Sequence, residues 1–220
     1  MNILLLGLGS IGQRHLRNIY KLNKKTNFFA IRKKFFTPLL TNKNKAINGN
    51  VEKKYKIKSF KNLDKFRKSG AKIDAAFICT PSKFHVDEAI WLIKNNINVF
   101  VEKPLGSILK KINKLKKLIK SKPHLKCMMG YQLKFNPIIL KLKDLIKSNT
   151  IGQIYNIFIN HGEHINDFHP YEDYKNSYAA RKELGGGVVL SQIHEIDYLL
   201  FLFEKYKVKI INTVKSYISD

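Results

Sequence analysis

The chain opens on an apolar run, Ile3 to Leu6, which gives way to Gly7, Gly9 and Gly12 and then to apolar positions at helical spacing from Leu16 and Ile19. A short run without alternation is the pattern of a strand buried on both faces, as in a parallel sheet. The rhythm returns at Thr26 to Ile31, Tyr55 to Phe60, Ile73 to Cys79, Asn98 to Val101 and Leu125 to Tyr131. Between these runs the spacing turns helical. Asn62 to Lys68 predicts a short helix closed by Gly70. The stretch after Pro81 predicts one that buries Val86, Ala89, Ile90 and Ile93, and Ser107 to Ser121 one that buries Ile108, Ile112, Leu115 and Ile119. Pro38 to Asn50 is polar and irregular, a loop or weak helix. Six such alternations predict an α/β domain with a doubly wound parallel sheet over residues 1–131.

From residue 132 the pattern changes. Ile138 to Lys147 is an amphipathic helix. Ile154 to Asn160 alternates, placing Tyr155, Ile157, Ile159, His161 and Glu163 on one face of a strand. Gly185-Gly186-Gly187 opens an apolar helix with Ser191, His194, Asp197, Tyr198 and Phe201 near one stripe. Val208 to Ile218 reads as a further strand, after which the chain stops. Residues 132–220 are therefore expected to be part of an α+β domain with an open, mostly antiparallel sheet. Unpaired strands and an uncovered apolar face predict a truncated form of low stability.

Composition narrows the classes. No apolar run approaches the ~18 residues of a membrane span, and the N-terminus lacks the basic region of a signal peptide. A cytoplasmic location is expected. Cys79 and Cys127 lack any paired spacing and read as core thiols. The net charge of +25 raises nucleic acid as a partner, but only five of the 41 basic residues are Arg and Lys runs from end to end. Bidentate base readers favour Arg. The excess is read as solvated lysine, with no nucleic-acid or membrane partner.

The candidate chemistry starts at the glycines. In G-x-G-x-x-G, Gly7 permits the tight turn from strand to helix, Gly9 lets the backbone approach a pyrophosphate, and Gly12 allows close helix packing. Ser10, Ile11 and Gly12 begin a helix whose N–H groups and dipole favour phosphate. At the end of the second strand, where NAD-specific sites place a carboxylate for the ribose hydroxyls, this chain has Arg32 and Lys33. A guanidinium pairs with a 2′-phosphate, so NADP(H) is favoured over NAD(H). Thr80 and Pro81 lie at the carboxyl end of another strand, with His85 near that mouth as a surface or cofactor-facing histidine. Pro104 holds Lys103 out of helical geometry at the next strand end, beside Glu102.

The glycine loop, Cys-Thr-Pro-Ser-Lys-Phe-His85 and Glu102-Lys103-Pro104 together resemble the glucose-fructose oxidoreductase / inositol dehydrogenase / MocA family. The resemblance implies a Rossmann domain, hydride transfer between NAD(P) and a secondary alcohol or ketone of a sugar, and Lys103 beside the nicotinamide and the reacting hydroxyl. Gly130-Tyr131-Gln-Leu-Lys134-Phe-Asn-Pro137 resembles the family's link from the last Rossmann strand into the next helix, and Tyr131 and Lys134 are expected among substrate contacts. The family usually has Arg where Lys134 stands. The triple glycine and His194 match the family pattern too, which implies His194 as proton acceptor or donor to the substrate hydroxyl. An imidazole of ordinary pKa near 6.5 suits that task. The family often has an Asp one turn earlier, but here Leu190 and Ser191 stand there. Either His194 works with Lys103 alone or a group such as Glu163 or Asp197 orients it.

The stretch His161 to Tyr174 is dense in His, Asp and Glu. His161 and His164 are candidates for polar contacts to a polyhydroxylated substrate, a solvated loop or a metal, though no usual zinc spacing occurs. Arg181 is a candidate holder of an anionic group. The loop His164 to Tyr178, with Tyr-Ala-Ala-Arg181-Lys-Glu-Leu-Gly, resembles family members associated with bacterial surface-glycan sugars, which implies an acidic or nucleotide-linked sugar. Homo-oligomers are expected only of a full-length form. The rivals are a non-catalytic NAD(P)-binding sensor or accessory protein, an inactive fragment, and a nucleic-acid binder.

Overall fold

The structure, a computed structural model, describes residues 1–32, 38–168 and 172–214. It begins β1 (Asn2–Leu6), α1 (Ser10–Leu22), β2 (Asn27–Ile31), β3 (Leu39–Leu40), β4 (Ala46–Ile47), α2 (Val51–Tyr55), β5 (Lys58–Phe60) and α3 (Leu63–Lys68). Next come β6 (Ala75–Ile78), α4 (Ser82–Lys94), β7 (Asn98–Val101), α5 (Leu109–Lys120), β8 (Cys127–Met129) and α6 (Pro137–Lys147), followed by α7 (Ile165–Phe168), α8 (Val188–Ser191) and α9 (His194–Leu202). Two compact units result: residues 1–130 with 162–192, and residues 131–161 with 193–220.

In the first unit, six parallel strands form a sheet among the described residues, in the order β5-β2-β1-β6-β7-β8. The order reverses at β1, whose neighbours are β2 and β6, as the doubly wound reading requires. β1 lies at the centre with both faces covered. Leu4 and Leu6 join one core with Ala76, Ile78, Val99, Ala89, Leu92 and Leu115. Ile3 and Leu5 join the other with Leu16, Phe28, Ala30, Leu39 and Val51. One strand with period-two side chains thus supplies two cores.

Three expected elements shift. Pro38 to Asn50 holds a small antiparallel pair, β3 with β4, tied to α1 by the buried Gln13. Its amide donates to Pro38 O at 2.9 Å and accepts from Leu40 N at 2.9 Å. Tyr55 ends α2, so β5 starts only at Lys58. On α5, Leu115 is buried as expected but Ile108 is 53% exposed, because the helix starts after it. Cys79 is buried, whereas Cys127 on the edge strand β8 is exposed and is not a core thiol.

In the second unit, Asn136 caps α6, accepting from Ile138 N at 2.9 Å, and Pro137 fills the first turn. α9 carries Asp197 and Phe201 toward Lys134 and Lys143: Lys134 Nζ lies 2.9 Å from Asp197 Oδ1, and Lys143 Nζ lies 3.6 Å from the Phe201 ring centroid. Residues 154–160 and 208–214 form no strand. Tyr155 and Phe158 are each 86% exposed. Alternation alone makes no sheet, because a strand needs a hydrogen-bonded neighbour. Residues 215–218 of the last expected strand lie outside the described residues. The helix expected to run on from the glycines is broken at Gln192 and Ile193, where α8 ends and α9 begins.

His85 braces the first unit. It is 1% exposed, with Nε2 2.6 Å from Thr80 O and Nδ1 2.8 Å from Pro104 O. It therefore joins the turn after β6 to the turn after β7. A neutral imidazole donates one proton and satisfies one of these carbonyls; satisfying both takes the imidazolium, which burial disfavours. Burial pulls the group below its ordinary value, against the opposing pull of the two carbonyls and of Glu102.

Two predictions follow from this packing. A methyl group at Gly12 would overlap the Gly7 carbonyl oxygen, whereas one at Gly9 would meet no atom within 4 Å. Gly12→Ala is expected to cost about 1–3 kcal/mol in urea unfolding, and Gly9→Ala less than about 1 kcal/mol. Because the folded His85 pKa is depressed, its stabilising contribution is complete above the unfolded value near 6.5 and is lost as pH falls through the folded value. Urea midpoints between pH 7.5 and pH 5.5 should fall more steeply for the wild type than for His85→Gln.

Candidate functional site

The switch point of the sheet brings the carboxyl ends of β1, β6 and β7 together. Gly7, at φ +93°, makes the turn out of β1, and an added Cβ would stand 2.8 Å from Cys79 O. Its N–H donates to Ile31 O at 3.0 Å, fixing the loop beside the end of β2. Gly9 then forms the N-cap of α1, with no side-chain cap and no acid in the first turn. Ser10, Ile11 and Gly12 thus begin a helix with open space over Gly9. A dinucleotide pyrophosphate fits this cradle, which has backbone close at hand and no Cβ or carboxylate in the way.

At the next mouth, Thr80 Oγ1 donates to Glu88 Oε2 at 2.5 Å, and Pro81 is the N-cap of α4. Both nitrogens of the buried His85 face backbone carbonyls, so the imidazole is no surface or cofactor-facing group. Its place is behind the two turns. Glu102 follows β7 and is bound by a residue absent from the sequence expectations. His15 Nε2 lies 2.7 Å from Glu102 Oε1, with His15 packed against Phe77 and Phe100. The other carboxylate oxygen accepts from Lys103 N at 3.2 Å. Lys103 Nζ donates to Ser191 O at 2.6 Å, and Ser82 Oγ donates to Gly185 O at 3.0 Å. The triple-glycine segment is thereby tied to the turns carrying Lys103 and Pro81. Tyr178 lies in this neighbourhood, its phenol pushed up by burial and by Glu102. Burial, aided by Glu102 and Glu88, lifts Cys79 well above the ordinary thiol range, which makes it a packing residue.

Arg32 departs from expectation. Its side chain is only 3% exposed, and Nη1 lies 3.2 Å from Glu52 Oε1. The guanidinium is engaged by a carboxylate, a neighbour that the expected 2′-phosphate clamp did not include. Lys33 lies outside the described residues.

The remaining candidates divide between the units. In the first, His164 is exposed and its Nδ1 accepts from Asn166 N at 3.4 Å; Arg181, also exposed, lies 2.6 Å from Glu183 Oε1. In the second unit, Tyr131 and His194 stack edge to face with centroids 6.4 Å apart. Lys134 Nζ pairs with Asp197 and lies 5.2 Å from the Tyr131 ring centroid. His161 Nδ1 lies 3.6 Å from Glu195 Oε1. Burial and Asp197 push the Tyr131 phenol up. Asp197 Oδ2 and Glu195 Oε2 are buried without a hydrogen-bond partner among the described residues. Among those residues no group of three or more His, Cys, Asp or Glu is placed to hold a metal ion.

The sequence held one signal for His15: it stands one turn after Gly12 on the same helix face. Nothing local signalled Glu52, which reaches Arg32 across 20 residues.

Comparison with known proteins agrees with this architecture. Residues 1–131 match the family described as "Oxidoreductase family, NAD-binding Rossmann fold", and residues 139–216 match "GFO/IDH/MocA C-terminal domain". The rhizopine catabolism protein MocA of Rhizobium meliloti is 24% identical over 199 residues, covering 90% of this chain and 56% of that protein. Myo-inositol 2-dehydrogenase of Lactobacillus plantarum superposes with a TM-score of 0.68 at 22% identity, covering 92% of this chain and 56% of the other. The WlbA dehydrogenase of Chromobacterium violaceum, solved with NADH and UDP-GlcNAcA, gives 0.69 at 18% identity, covering 92% and 55%. At such identities the two structures speak to the fold alone. The chain spans about half the length of these relatives. With matches to both the NAD-binding Rossmann domain and the C-terminal domain of the family, the chain belongs to the Gfo/Idh/MocA oxidoreductase family.

Proposed function

We propose that this chain acts in an NAD(P)-dependent dehydrogenase that oxidises a secondary alcohol, or reduces the matching ketone, on a sugar or sugar derivative. The observation that carries this is one arrangement in the first unit. An open, uncapped glycine cradle stands at the sheet's switch point, and Lys103 is held at the carboxyl end of β7 by Ser191 O and by the His15–Glu102 pair. Residues 1–131 serve as the dinucleotide domain and residues 132–220 contribute to the substrate domain.

Gly7, Gly9, Ser10, Ile11 and Gly12 would hold the pyrophosphate, with Thr80, Pro81, Glu102 and Lys103 lining the path toward the nicotinamide. When bound, the dinucleotide supplies hydride acceptance or donation. The chain's own groups handle the rest. As the alcohol C–H bond gives up its hydride, the hydroxyl oxygen loses its proton and gains carbonyl character. The Lys103 ammonium stabilises negative charge on that oxygen, and His194 takes the proton. In the reverse direction the same groups deliver it. Tyr131, Lys134, His161, His164 and Arg181 are proposed as substrate contacts. An acidic or nucleotide-linked sugar of surface-glycan metabolism is the finer proposal, supported by the WlbA relative's complex with UDP-GlcNAcA. A cytoplasmic homo-oligomer is proposed for the whole protein. A preference for NADP(H) would need Arg32 to meet a 2′-phosphate, and its pairing with Glu52 works against that.

Titration with NADH, read by dihydronicotinamide fluorescence, should saturate. Gly9→Ala should weaken it at least about tenfold, a change of about 1.4 kcal/mol, with little loss of stability. A chain that melts cooperatively yet binds no dinucleotide would defeat the reading. In the whole protein, Lys103→Ala and His194→Ala should each lower turnover of sugars or inositols about 100-fold or more. Saturable NADH binding with no turnover of any such substrate would instead identify a non-catalytic sensor.

A further inference from the structure

Glu52 has no counterpart among the expected site residues, yet the chain takes trouble to place it. It occupies the first turn of α2, where the Asn50 side chain accepts from Glu52 N at 2.8 Å and from Lys53 N at 3.0 Å. The preceding Val51, 1% exposed, anchors that turn in the core. The backbone of Glu52 is thus fixed from both sides, and its carboxylate is delivered to Arg32.

The pair is asymmetric. The Arg32 side chain is 3% exposed and that of Glu52 is 22% exposed. A ligand arriving from solvent therefore meets the carboxylate first, with the guanidinium behind it. The location matters as well. Arg32 directly follows β2, and its N–H donates to Phe60 O at 3.0 Å. The preceding Ile31 carbonyl accepts from Gly7 N, so the pair stands at the strand end beside the glycine loop. In this fold that strand end meets the adenosine ribose, where a carboxylate accepts from the free hydroxyls and an arginine answers a 2′-phosphate.

We infer that Glu52, held by α2 and backed by Arg32, sets the dinucleotide preference of this chain and selects NAD(H) over NADP(H). A 2′-phosphate brings a second anion against the Glu52 carboxylate and competes for a guanidinium already in use. A 2′-hydroxyl brings a donor that the carboxylate can accept. The acid that dinucleotide sites usually carry at the end of the second strand is here supplied from a helix 20 residues further on. Burial lowers the guanidinium's pKa while Glu52 raises it, and arginine remains a cation throughout. The inference rests on the dinucleotide-binding reading.

The test is parallel fluorescence titration of the wild type, Glu52→Gln and Arg32→Gln with NADH and NADPH, with melting temperatures recorded alongside. The wild type should bind NADH at least about tenfold more tightly than NADPH. Glu52→Gln keeps the size but removes the charge that repels a 2′-phosphate, so the ratio should move toward NADPH by about tenfold or more. Arg32→Gln leaves an unopposed carboxylate and should weaken NADPH further than NADH; it is read independently of whether Glu52→Gln folds. An unchanged ratio in both variants, with only the melting temperature lowered, would make the pair structural and overturn the inference. Tighter NADPH than NADH in the wild type would also overturn it. Binding of neither nucleotide by the wild type would remove the dinucleotide reading itself, and the inference with it.

Discussion

The constraint on which most of this molecule depends is the close approach of α1 to the turn after β1. No side-chain atom can stand at Gly12, because it would overlap the Gly7 carbonyl, and Gly7 itself sits against the Cys79 backbone. With both side chains absent, the helix start drops onto the carboxyl edge of the central strand. Its N–H groups then face the place where the strand order reverses. Both hydrophobic cores hang on the same strand, since β1 sends alternate leucines and isoleucines to each. The geometry of a prospective ligand site and the stability of the sheet therefore share one cause.

Around that cradle, long-range ties position the groups of chemical interest. Glu102 is held by His15 from α1, and Lys103 by the Ser191 carbonyl. Thr80 and Pro104 are joined through His85. These contacts cross-brace the turns after β6 and β7 with buried or part-buried polar groups. Such contacts are stronger than their exposed equivalents, and they carry a penalty if one partner is removed.

What was legible in the sequence were the features whose cause is local. The glycine turn, the helices expected at Asn62 to Lys68 and Ile138 to Lys147, and β7 with its Glu-Lys-Pro ending all follow from short-range causes, and the family resemblance is upheld. What was not legible depends on partners distant in sequence. Ile154 to Asn160 has a strand's alternation but no neighbour among the described residues to receive its backbone. The apolar run after Gly187 has a helix's spacing but breaks at Gln192. Arg32 has the charge of a phosphate clamp, but its meaning changes once Glu52 is beside it. Periodicity gives a segment's preference, and tertiary contacts decide whether it is used.

The same logic bears on the chain's charge. With 41 basic against 16 acidic residues, most lysines have no carboxylate to pair with and remain solvated. A lysine is therefore weak information in this sequence, and a carboxylate is strong information. The half-buried or buried acids stand where positioning is required: Glu52 on Arg32, Glu102 between His15 and the Lys103 amide, Asp197 on Lys134, Glu195 near His161. Burying a carboxylate costs free energy unless it is paired, so each such placement implies compensation by the contacts around it. The scarce acids therefore carry more positional information than the abundant bases do.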